Sequence, residues 1–407
     1  MPTLHGNPAE NPKIRNSASA SPTGRVNDSQ SWCESDKSIS SAFACLTKHK
    51  ALCYFNSEED PDIVTRFAEE DMMKTLVTGG TGFLGSYLVE TLLAQGHEVR
   101  ALARTTSDTS HLETTGAELV YGDIEDYDSL PPAVKGVETV FHAAGRVTPG
   151  WGKWQEFESS IVKGTENVLR ASAEAGVSRF LYLSSHSVYG KLSCSDTPVD
   201  ESAPCEVAFT RDTYYDYAKL KAEELVFDYH NQGRIKVTVI RPAMIHGIRD
   251  RMNTDRIYRH LARRIIVWPG KSNPRCAPVY ASDVAELAVL AANSDKAIGQ
   301  VYNVAPPGEI WFQEYCDAMI RAQGGRRLKV TMPYSLAYIF CALMEGWARL
   351  RRAKKAPYLT RSSIRFANEG QFVDGSKARM ELGWEPKVSM EEGCRLYVQW
   401  WRSQEGK

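Results

Sequence analysis

A glycine-rich string, TGGTGFLG at residues 78–85, constrains the fold of this chain more than any other feature. It follows a β-rich run, KTLVT, and precedes an apolar, helix-like run, SYLVETLLAQG. At such a junction Gly79 allows a tight turn, Gly82 lets a pyrophosphate approach backbone N–H groups at the helix start, and Gly85 permits close packing of helix on strand. The string therefore predicts a dinucleotide-binding turn rather than a plain connecting loop. The residues of the string that we assign to the cofactor are Gly79, Thr81, Gly82, Phe83, Leu84 and Gly85.

The alternation of strand-like and helix-like runs continues along the chain and predicts an α/β fold. HEVRALAR, ETVFHAAG, GTENVLRASAEAG and RFLYLSS follow in order, and strand-like runs recur at 237–242 and 301–305. This pattern predicts a Rossmann-type, doubly wound parallel sheet with helices on both faces. Residues 250–275, 306–345 and the C-terminal tail interrupt the pattern. We expect them to form a smaller C-terminal substrate-binding lobe over the carboxyl ends of the strands.

We divide the chain into three parts. Residues 1–71 are rich in Ser, Asn, Pro and Lys in their first half and lack periodicity, so they are read as an N-terminal extension. A disordered tail, an organellar transit peptide and a start codon placed too early all remain open for it. Residues 72–248 are predicted to be the dinucleotide-binding core with the catalytic residues. Residues 249–407 are predicted to be the substrate-binding lobe, interleaved with the last core strands.

Composition and charge favour a small-molecule partner over nucleic acid. The 407 residues are 43% hydrophobic and 24% charged, as in a globular protein, and the formal net charge is −1. No global basic field is available to hold nucleic acid. The nine cysteines form no C-x-x-C pair, which predicts a reducing compartment and no metal site. A cytoplasmic location is expected, or an organelle if the extension is a transit peptide.

The residue after the second predicted strand bears on which dinucleotide is bound. An acidic residue there would bind the ribose 2′-hydroxyl of NAD, but Arg104 stands at that position, followed by Thr105. A guanidinium suits a 2′-phosphate, so NADP is favoured and NAD is the alternative; the alternative role for Arg104 is a solvated surface side chain. Further cofactor candidates, each at or after a predicted strand end, are Asp123, Ile124, Ala143, Ala144 and Gly145.

Two Tyr/Lys pairs four residues apart lie in RDTYYDYAKLKAEELV, and helical periodicity separates them. Tyr215 and Lys219 share a face with small apolar residues, whereas Tyr217 and Lys221 share a face that looks solvated. We assign Tyr215 as the proton donor and acceptor and Lys219 as the group that stabilises its phenolate and holds the ribose of the cofactor. Ser185, in YLSSHSVYG just past an apolar strand, is predicted to donate to the substrate oxygen. Taken alone, such a Ser is more often a helix cap or a turn residue.

With these residues in order, the chain from about 73 to 400 resembles the extended short-chain dehydrogenases/reductases, the NAD-dependent epimerase/dehydratase superfamily. The matching motifs are TGGTGFLG, SSHSVYG, YDYAKLKAE, RPAMIHG, VYASDVAE, GQVYNVA and DGSKARMELGWEP. The resemblance implies a cofactor contact at Pro242 and a homodimer. Two departures stand out. Ile161 occupies the position where the family has Asn, and Ser185-His186-Ser187 replaces the Thr-Asp-Glu of the dehydratases.

Within this group the chain looks like the 3β-hydroxysteroid dehydrogenase and β-keto acid reductase branch, which implies a lipophilic secondary alcohol or ketone. The uncharged run in residues 333–350 suits a pocket wall, and a buried or dimer-contact helix is an equal alternative. Membrane contact through the basic residues 349–355 is weighed and not expected. Two other functions stay open: a nucleotide-sugar epimerase with tightly bound NAD, and a non-catalytic NADP(H)-sensing protein. Nearby histidines, His142, His186 and His246, are expected to be structural.

Overall fold

The computed structural model describes residues 72–148, 150–353 and 355–405, so the prediction for the N-terminal extension lies outside the described residues. Seven parallel strands form a central sheet in the order β3-β2-β1-β4-β5-β6-β11. The predicted doubly wound parallel sheet is thereby confirmed. The strands of the described chain are β1 (Lys74–Thr78), β2 (Glu98–Ala103), β3 (Glu118–Tyr121), β4 (Thr139–His142), β5 (Arg179–Leu183), β6 (Lys236–Pro242), β7 (Met244–His246), β8 (Ile265–Pro269), β9 (Arg275–Cys276), β10 (Pro278–Tyr280), β11 (Val301–Val304), β12 (Ile310–Trp311) and β13 (Leu328–Met332).

Helices cover both faces of this sheet, which explains why most positions of its inner strands are buried. On one face, α1 and α7 pack together over the sheet; on the other, α4 and α5 do so. A π-helix at Glu158–Lys163 joins α3 to α4. The helices are α1 (Phe83–Ala94), α2 (Pro131–Val134), α3 (Trp154–Phe157), α4 (Gly164–Glu174), α5 (Tyr214–Asn231), α6 (Asn253–Leu261), α7 (Ala281–Ala292), α8 (Phe312–Gln323), α9 (Tyr334–Leu350), α10 (Arg361–Glu369), α11 (Ser376–Leu382) and α12 (Met390–Glu405).

Strand order sets the position of the ligand site. From β1 the chain winds outward to β3 and then crosses back to β4, so the direction of winding reverses between β1 and β4. The crevice outside the carboxyl ends of the strands at such a reversal is where open α/β sheets bind ligands. The glycine-rich string leaves β1 at this point.

Elements after residue 249 build a second apolar core beside the sheet. Side chains from α6, β8, α8 and α12 form it, among them Tyr258, Trp268, Tyr315 and Tyr397. A parallel pair of strands, β8 with β13, and the helices α9 and α10, which pack on each other, complete this region. Within the described ranges, none of the helices combines the length and apolar character that crossing a bilayer requires.

Candidate active site

One large cleft, of about 2220 Å³, lies at the carboxyl ends of the strands. Its walls come from the turn after β1, the ends of β2, β4, β5 and β6, the start of α5, and the region after residue 249. The space exceeds that of an ordinary small-ligand pocket, so it has room for a cofactor and a substrate together. Every residue predicted from the sequence lines it: Gly79, Thr81, Gly82, Phe83, Leu84, Gly85, Arg104, Asp123, Ile124, Ala143, Ala144, Gly145, Ser185, Tyr215, Lys219 and Pro242.

Close backbone approach explains the glycines of the first turn. Gly79 has φ of +74°, and a Cβ there would lie 2.8 Å from the backbone nitrogen of Ala144. A Cβ on Gly85 would collide with the carbonyl oxygen of Gly79, so any side chain there would push α1 away from β1. No side chain caps the N-terminus of α1 at Gly82, and this helix start lines the cleft. The turn therefore fits a pyrophosphate held by backbone N–H groups.

Arg104 and Asp123, the two polar candidates for binding the adenosine part of the cofactor, differ in the hydrogen bonds that they make within the protein. Arg104 follows the last residue of β2 and its side chain is exposed at the cleft. The Asp123 carboxylate accepts a hydrogen bond of 3.0 Å from the backbone nitrogen of Glu125, and its own backbone nitrogen donates to Ser129. Asp123 thus shapes its turn as well as the cleft wall.

The Tyr215 phenol and the Ser185 hydroxyl both line the cleft. Tyr215 lies in the first turn of α5, is half-buried, and has the Ser185 side chain as a polar neighbour. Ser185 Oγ also accepts from the backbone nitrogen of Ser187 at 3.2 Å, so this serine caps the following 3₁₀ helix as well. Burial raises the pKa of Tyr215, the charge of Asp216 adds to the rise, and the neighbouring Ser185 hydroxyl opposes it. The phenol therefore holds its proton at neutral pH and can deliver it to an acceptor in the cleft.

Lys219 lies one helical turn beyond Tyr215 and is 5% exposed. Its Nζ donates to the carbonyl oxygen of Leu183 at 2.6 Å and lies 4.8 Å from the centre of the Tyr182 ring. Burial lowers the pKa of Lys219 to about 8, although the nearby Glu223 carboxylate opposes the fall. A desolvated ammonium at this place is a positive charge that lines the same cleft as Tyr215, one helical turn further along α5.

The second Tyr/Lys pair points away from the cleft. Lys221 Nζ pairs with Glu224 at 2.6 Å on the outer side of α5, and its side chain is 39% exposed. The Tyr217 ring packs edge-on against Trp154 and Phe209. The face that periodicity selected is the one that turns inward.

A buried network beneath the site was not recognised from the sequence. Glu223 on α5 makes a bidentate salt bridge with Arg241 on β6, and accepts a hydrogen bond of 2.7 Å from Ser184. Arg241 also donates to the Tyr189 hydroxyl at 2.8 Å, which in turn donates to Asn303 on β11. The network ties the helix that carries Tyr215 to the strand end that carries Ser185. In the sequence, Glu223 ends the motif YDYAKLKAE and Arg241 begins the motif RPAMIHG, but nothing in either motif shows that the two residues pair.

A second residue that the sequence did not single out is Asp216, between the two tyrosines. It lines the cleft together with Arg365 of α10. Burial raises the pKa of Asp216 to about 6, and the neighbouring Ser187 and the charge of Arg365 oppose the rise. Nothing local in the sequence marks this side chain as buried.

The histidines near the cleft have structural neighbours. His142 bridges the hydroxyls of Thr78 and Thr165 at 2.7 and 3.0 Å. His186 Nδ1 lies 3.0 Å from the carbonyl oxygen of Pro242. His246 is enclosed by aromatic rings. In the part of the chain that the structure describes, no three His, Cys, Asp or Glu side chains are grouped as metal ligands.

Ile161, at the position of the family's Asn, is 1% exposed inside the π-helix before α4. Its side chain packs 3.4 Å from where a Cβ of Gly145 would be. It therefore contributes apolar packing behind the turn after β4 and offers no polar group to a proton relay.

Comparison with known proteins agrees with this geometry. A model of the family "NAD dependent epimerase/dehydratase family" matches residues 75–305. The chain is 29% identical to a 2-alkyl-3-oxoalkanoate reductase of Stenotrophomonas maltophilia over 79% of this chain and 98% of that protein. It is 30% identical to a 3 beta-hydroxysteroid dehydrogenase/Delta 5-->4-isomerase of Mycobacterium tuberculosis, over 79% of this chain and 88% of that protein.

A solved structure shares the fold. The UDP-glucose 4-epimerase of Thermus thermophilus in complex with NAD superposes with a TM-score of 0.65 over 81% of this chain and 99% of that chain, at 24% identity. The family model covers more than half of the chain, and relatives named dehydrogenase and reductase align over most of their length. The chain therefore belongs to the NAD-dependent epimerase/dehydratase family, within the extended short-chain dehydrogenases/reductases, and is an enzyme of the oxidoreductase type.

Proposed function

We propose that this enzyme uses NADP(H) to interconvert a secondary alcohol and a ketone on a lipophilic substrate. The observation that carries the proposal is the meeting of Tyr215, Ser185 and Lys219 at the cleft beside the uncapped start of α1. These three groups can bind a carbonyl oxygen and exchange a proton with it. The bound nicotinamide supplies or accepts the hydride.

The surroundings of Tyr215, Ser185 and Lys219 suggest a different role for each side chain in the reaction. Tyr215 gives its proton to the substrate oxygen during reduction and takes it back during oxidation. The Ser185 hydroxyl, which lines the cleft beside Tyr215, donates to the same oxygen and fixes its position. The Lys219 ammonium stabilises the phenolate that forms, because the two groups share one buried helix face and little solvent screens the charge.

Arg104 supports NADP over NAD. Its guanidinium is exposed at the cleft just after β2, where a 2′-phosphate would be presented, and it is free to form a charge-assisted pair. A 2′-hydroxyl gains less from the same side chain.

The lining beyond the catalytic residues supports a lipophilic substrate. Residues after 249 present apolar and aromatic side chains to this end of the cleft, and this region is the proposed substrate-binding lobe. The names of the two relatives, a 2-alkyl-3-oxoalkanoate reductase and a 3 beta-hydroxysteroid dehydrogenase, denote substrates of that kind. The lining residues of this kind include Met252, Ile257, Trp268, Phe312, Met332, Phe340 and Tyr358.

The test is a nicotinamide absorbance assay with NADP(H) and NAD(H) over hydroxysteroids, alkyl β-keto acids and nucleotide sugars. We expect turnover of a lipophilic alcohol or ketone, with a higher kcat/KM for NADP(H). Tyr215→Phe should lower kcat by about 100-fold or more while leaving cofactor affinity unchanged, because only proton transfer is removed. Arg104→Ala should lose about tenfold or more in NADP(H) affinity and little in NAD(H) affinity.

Tyr217→Phe is the matched control, since Tyr217 packs outside the cleft and its loss should leave kcat near the wild-type value. Equal loss in both tyrosine variants would contradict the site assignment. Conversion of a nucleotide sugar to its epimer, with no net oxidation or reduction of either nicotinamide cofactor, would instead establish the second candidate function, an epimerase. The name of the matching family favours this second candidate.

A further inference from the structure

Helix α9 carries an apolar stripe on its solvent side. Residues at spacings of three and four along the helix are more than half exposed, whereas the opposite side packs Ala337 and Cys341 against Ile364 of α10. A surface helix normally shows the reverse arrangement, with its apolar face inward. The apolar stripe consists of Leu336, Ile339, Phe340, Leu343, Trp347 and Leu350.

The β8–β13 pair adds further exposed apolar side chains. Ile265 and Val267 of β8 are 53% and 39% exposed on either side of the fully buried Ile266. Leu328 and Val330 of β13 are 60% and 44% exposed. Exposed apolar surface of this extent marks a contact with a protein or a membrane.

The segment that carries most of this surface is mainly basic, although Lys329 of β13 is paired with Asp317 of α8 at 2.6 Å. Residues 326–355 hold eight Lys and Arg residues and one acidic residue, Glu345, in a chain whose net charge is −1. Glu345 is 2% exposed and is neutralised inside the protein by Arg361 and Arg349. The solvent side of this segment is therefore basic as well as apolar. Arg351 lies 4.3 Å over the Trp347 ring, at the end of the stripe.

We propose that α9 and the β8–β13 pair form a docking surface for an anionic lipid bilayer. The apolar stripe would enter the boundary between headgroups and acyl chains, and the Lys and Arg residues would contact the phosphates, as in other interfacial helices. A second copy of this chain fits the surface less well, because a symmetric contact would bring two basic segments together without acidic partners.

The position of the cleft gives this surface a role. Phe340 of the stripe and Ile265 and Val267 of the β8–β13 pair also line the cleft that holds Tyr215. The mouth of the cleft therefore opens at the docking surface, and a lipophilic substrate passes from the lipid phase into the cleft without crossing water. This route rests on the proposed function, whereas docking itself does not.

Vesicle flotation of the full chain, without cofactor or substrate, tests the docking. We expect the protein to float with vesicles of phosphatidylcholine mixed with phosphatidylserine, to float poorly with phosphatidylcholine alone, and to be released by added salt. Leu343→Glu should weaken partition into the anionic vesicles by about tenfold or more, because it removes an apolar side chain from the middle of the stripe and adds a negative charge there. Met380→Glu, at a residue of α11 that is 76% exposed, is the matched control and should float like the wild type.

Absence of flotation with the anionic vesicles would overturn the proposal, as would equal loss in both variants. Light scattering tests whether a second copy of this chain covers the stripe instead. If the wild type does not bind vesicles and its molar mass in solution is halved by Leu343→Glu, the stripe is a contact between two copies. An unchanged melting temperature of Leu343→Glu shows that the variant is folded. Because vesicle binding needs no turnover, its failure is distinguishable from failure of the proposed reaction.

Discussion

The positive charge of Lys219 lies in a buried position, where it loses most of its hydration. Lys219 is 5% exposed and burial lowers its pKa to about 8 from the ordinary value of 10.5. A difference of this size corresponds to roughly 3 kcal/mol of unfavourable free energy at neutral pH. We expect Lys219→Met to lower kcat by about 100-fold or more while leaving the free energy of unfolding at pH 7 unchanged or higher. Urea unfolding and the absorbance assay on the same preparation measure both.

The same pKa difference predicts how the free energy of unfolding changes with pH. Above about pH 8 the folded protein releases the Lys219 proton, while the unfolded chain keeps it up to about 10.5. The unfolded state then binds more protons, so the stability of the wild type rises with pH over this range. The stability advantage of Lys219→Met should therefore be largest near neutral pH and shrink as the pH rises. An advantage that grows toward high pH would show that Lys219 is not the group responsible.

Single residues whose role depends on local geometry could be predicted from the sequence. Gly79 needs a positive φ, and Tyr215 with Lys219 needs only helical spacing and a small-residue face, so short strings are enough to identify them. Asp216 could not be recognised, because Arg365 of α10, which lines the cleft with it and acts on it by its charge, comes more than 140 residues later in the chain.

At the scale of elements, the Glu223–Arg241 pair joins α5 to β6. Both side chains are nearly buried, 4% and 6% exposed, and Ser184 and Tyr189 extend the pair to the strand end of the site. Removing one charge leaves the other buried without a partner. We expect Arg241→Met to lower the free energy of unfolding by about 3–5 kcal/mol, measured by urea denaturation.

A surface pair provides the comparison for this prediction. Arg395 and Glu392 on α12 are 51% and 42% exposed, so Arg395→Met should cost less than about 1 kcal/mol. The double variant Arg241→Met/Glu223→Gln should recover a large part of the loss, since neither of these two positions then holds an unpaired charge. A similar small effect of Arg241→Met and Arg395→Met would mean that the buried pair does not hold the two elements together.

The elements themselves show where sequence patterns stop being informative. Alternating strand and helix runs predicted the sheet, because both of its faces are covered and the buried positions of its strands are therefore mostly apolar. The uncharged run of α9 was visible in the sequence, but a pocket wall, a dimer contact and a lipid-facing helix share that composition. Only the packing of Ala337 and Cys341 on α10 shows which side of the helix is turned outward.

Across the whole molecule, three buried histidines set how stability responds to acid. Burial lowers the pKa of His142 to about 3, of His186 to about 4 and of His246 to about 3. Between these values and about 6.5 the unfolded chain binds protons that the folded protein does not, so stability falls as the pH falls. Carboxyls act in the opposite direction: burial raises the pKa of Glu201 and Asp250, and raises that of Asp216 and Asp283 to about 6, which favours the folded state as they protonate.

His246 isolates one of these contributions, because both of its ring nitrogens lack a hydrogen-bond partner among the described residues and the rings of Tyr280 and Tyr315 enclose it. His246→Phe keeps an aromatic ring there and removes the proton-binding group. We expect the loss of unfolding free energy between about pH 7.5 and about pH 5 to be smaller in this variant by about 2 kcal/mol. Any packing change is common to both pH values and cancels in the difference. His111→Asn, at an exposed histidine, should retain the wild-type difference, and an equally steep loss in His246→Phe would mean that His246 is already protonated in the folded protein.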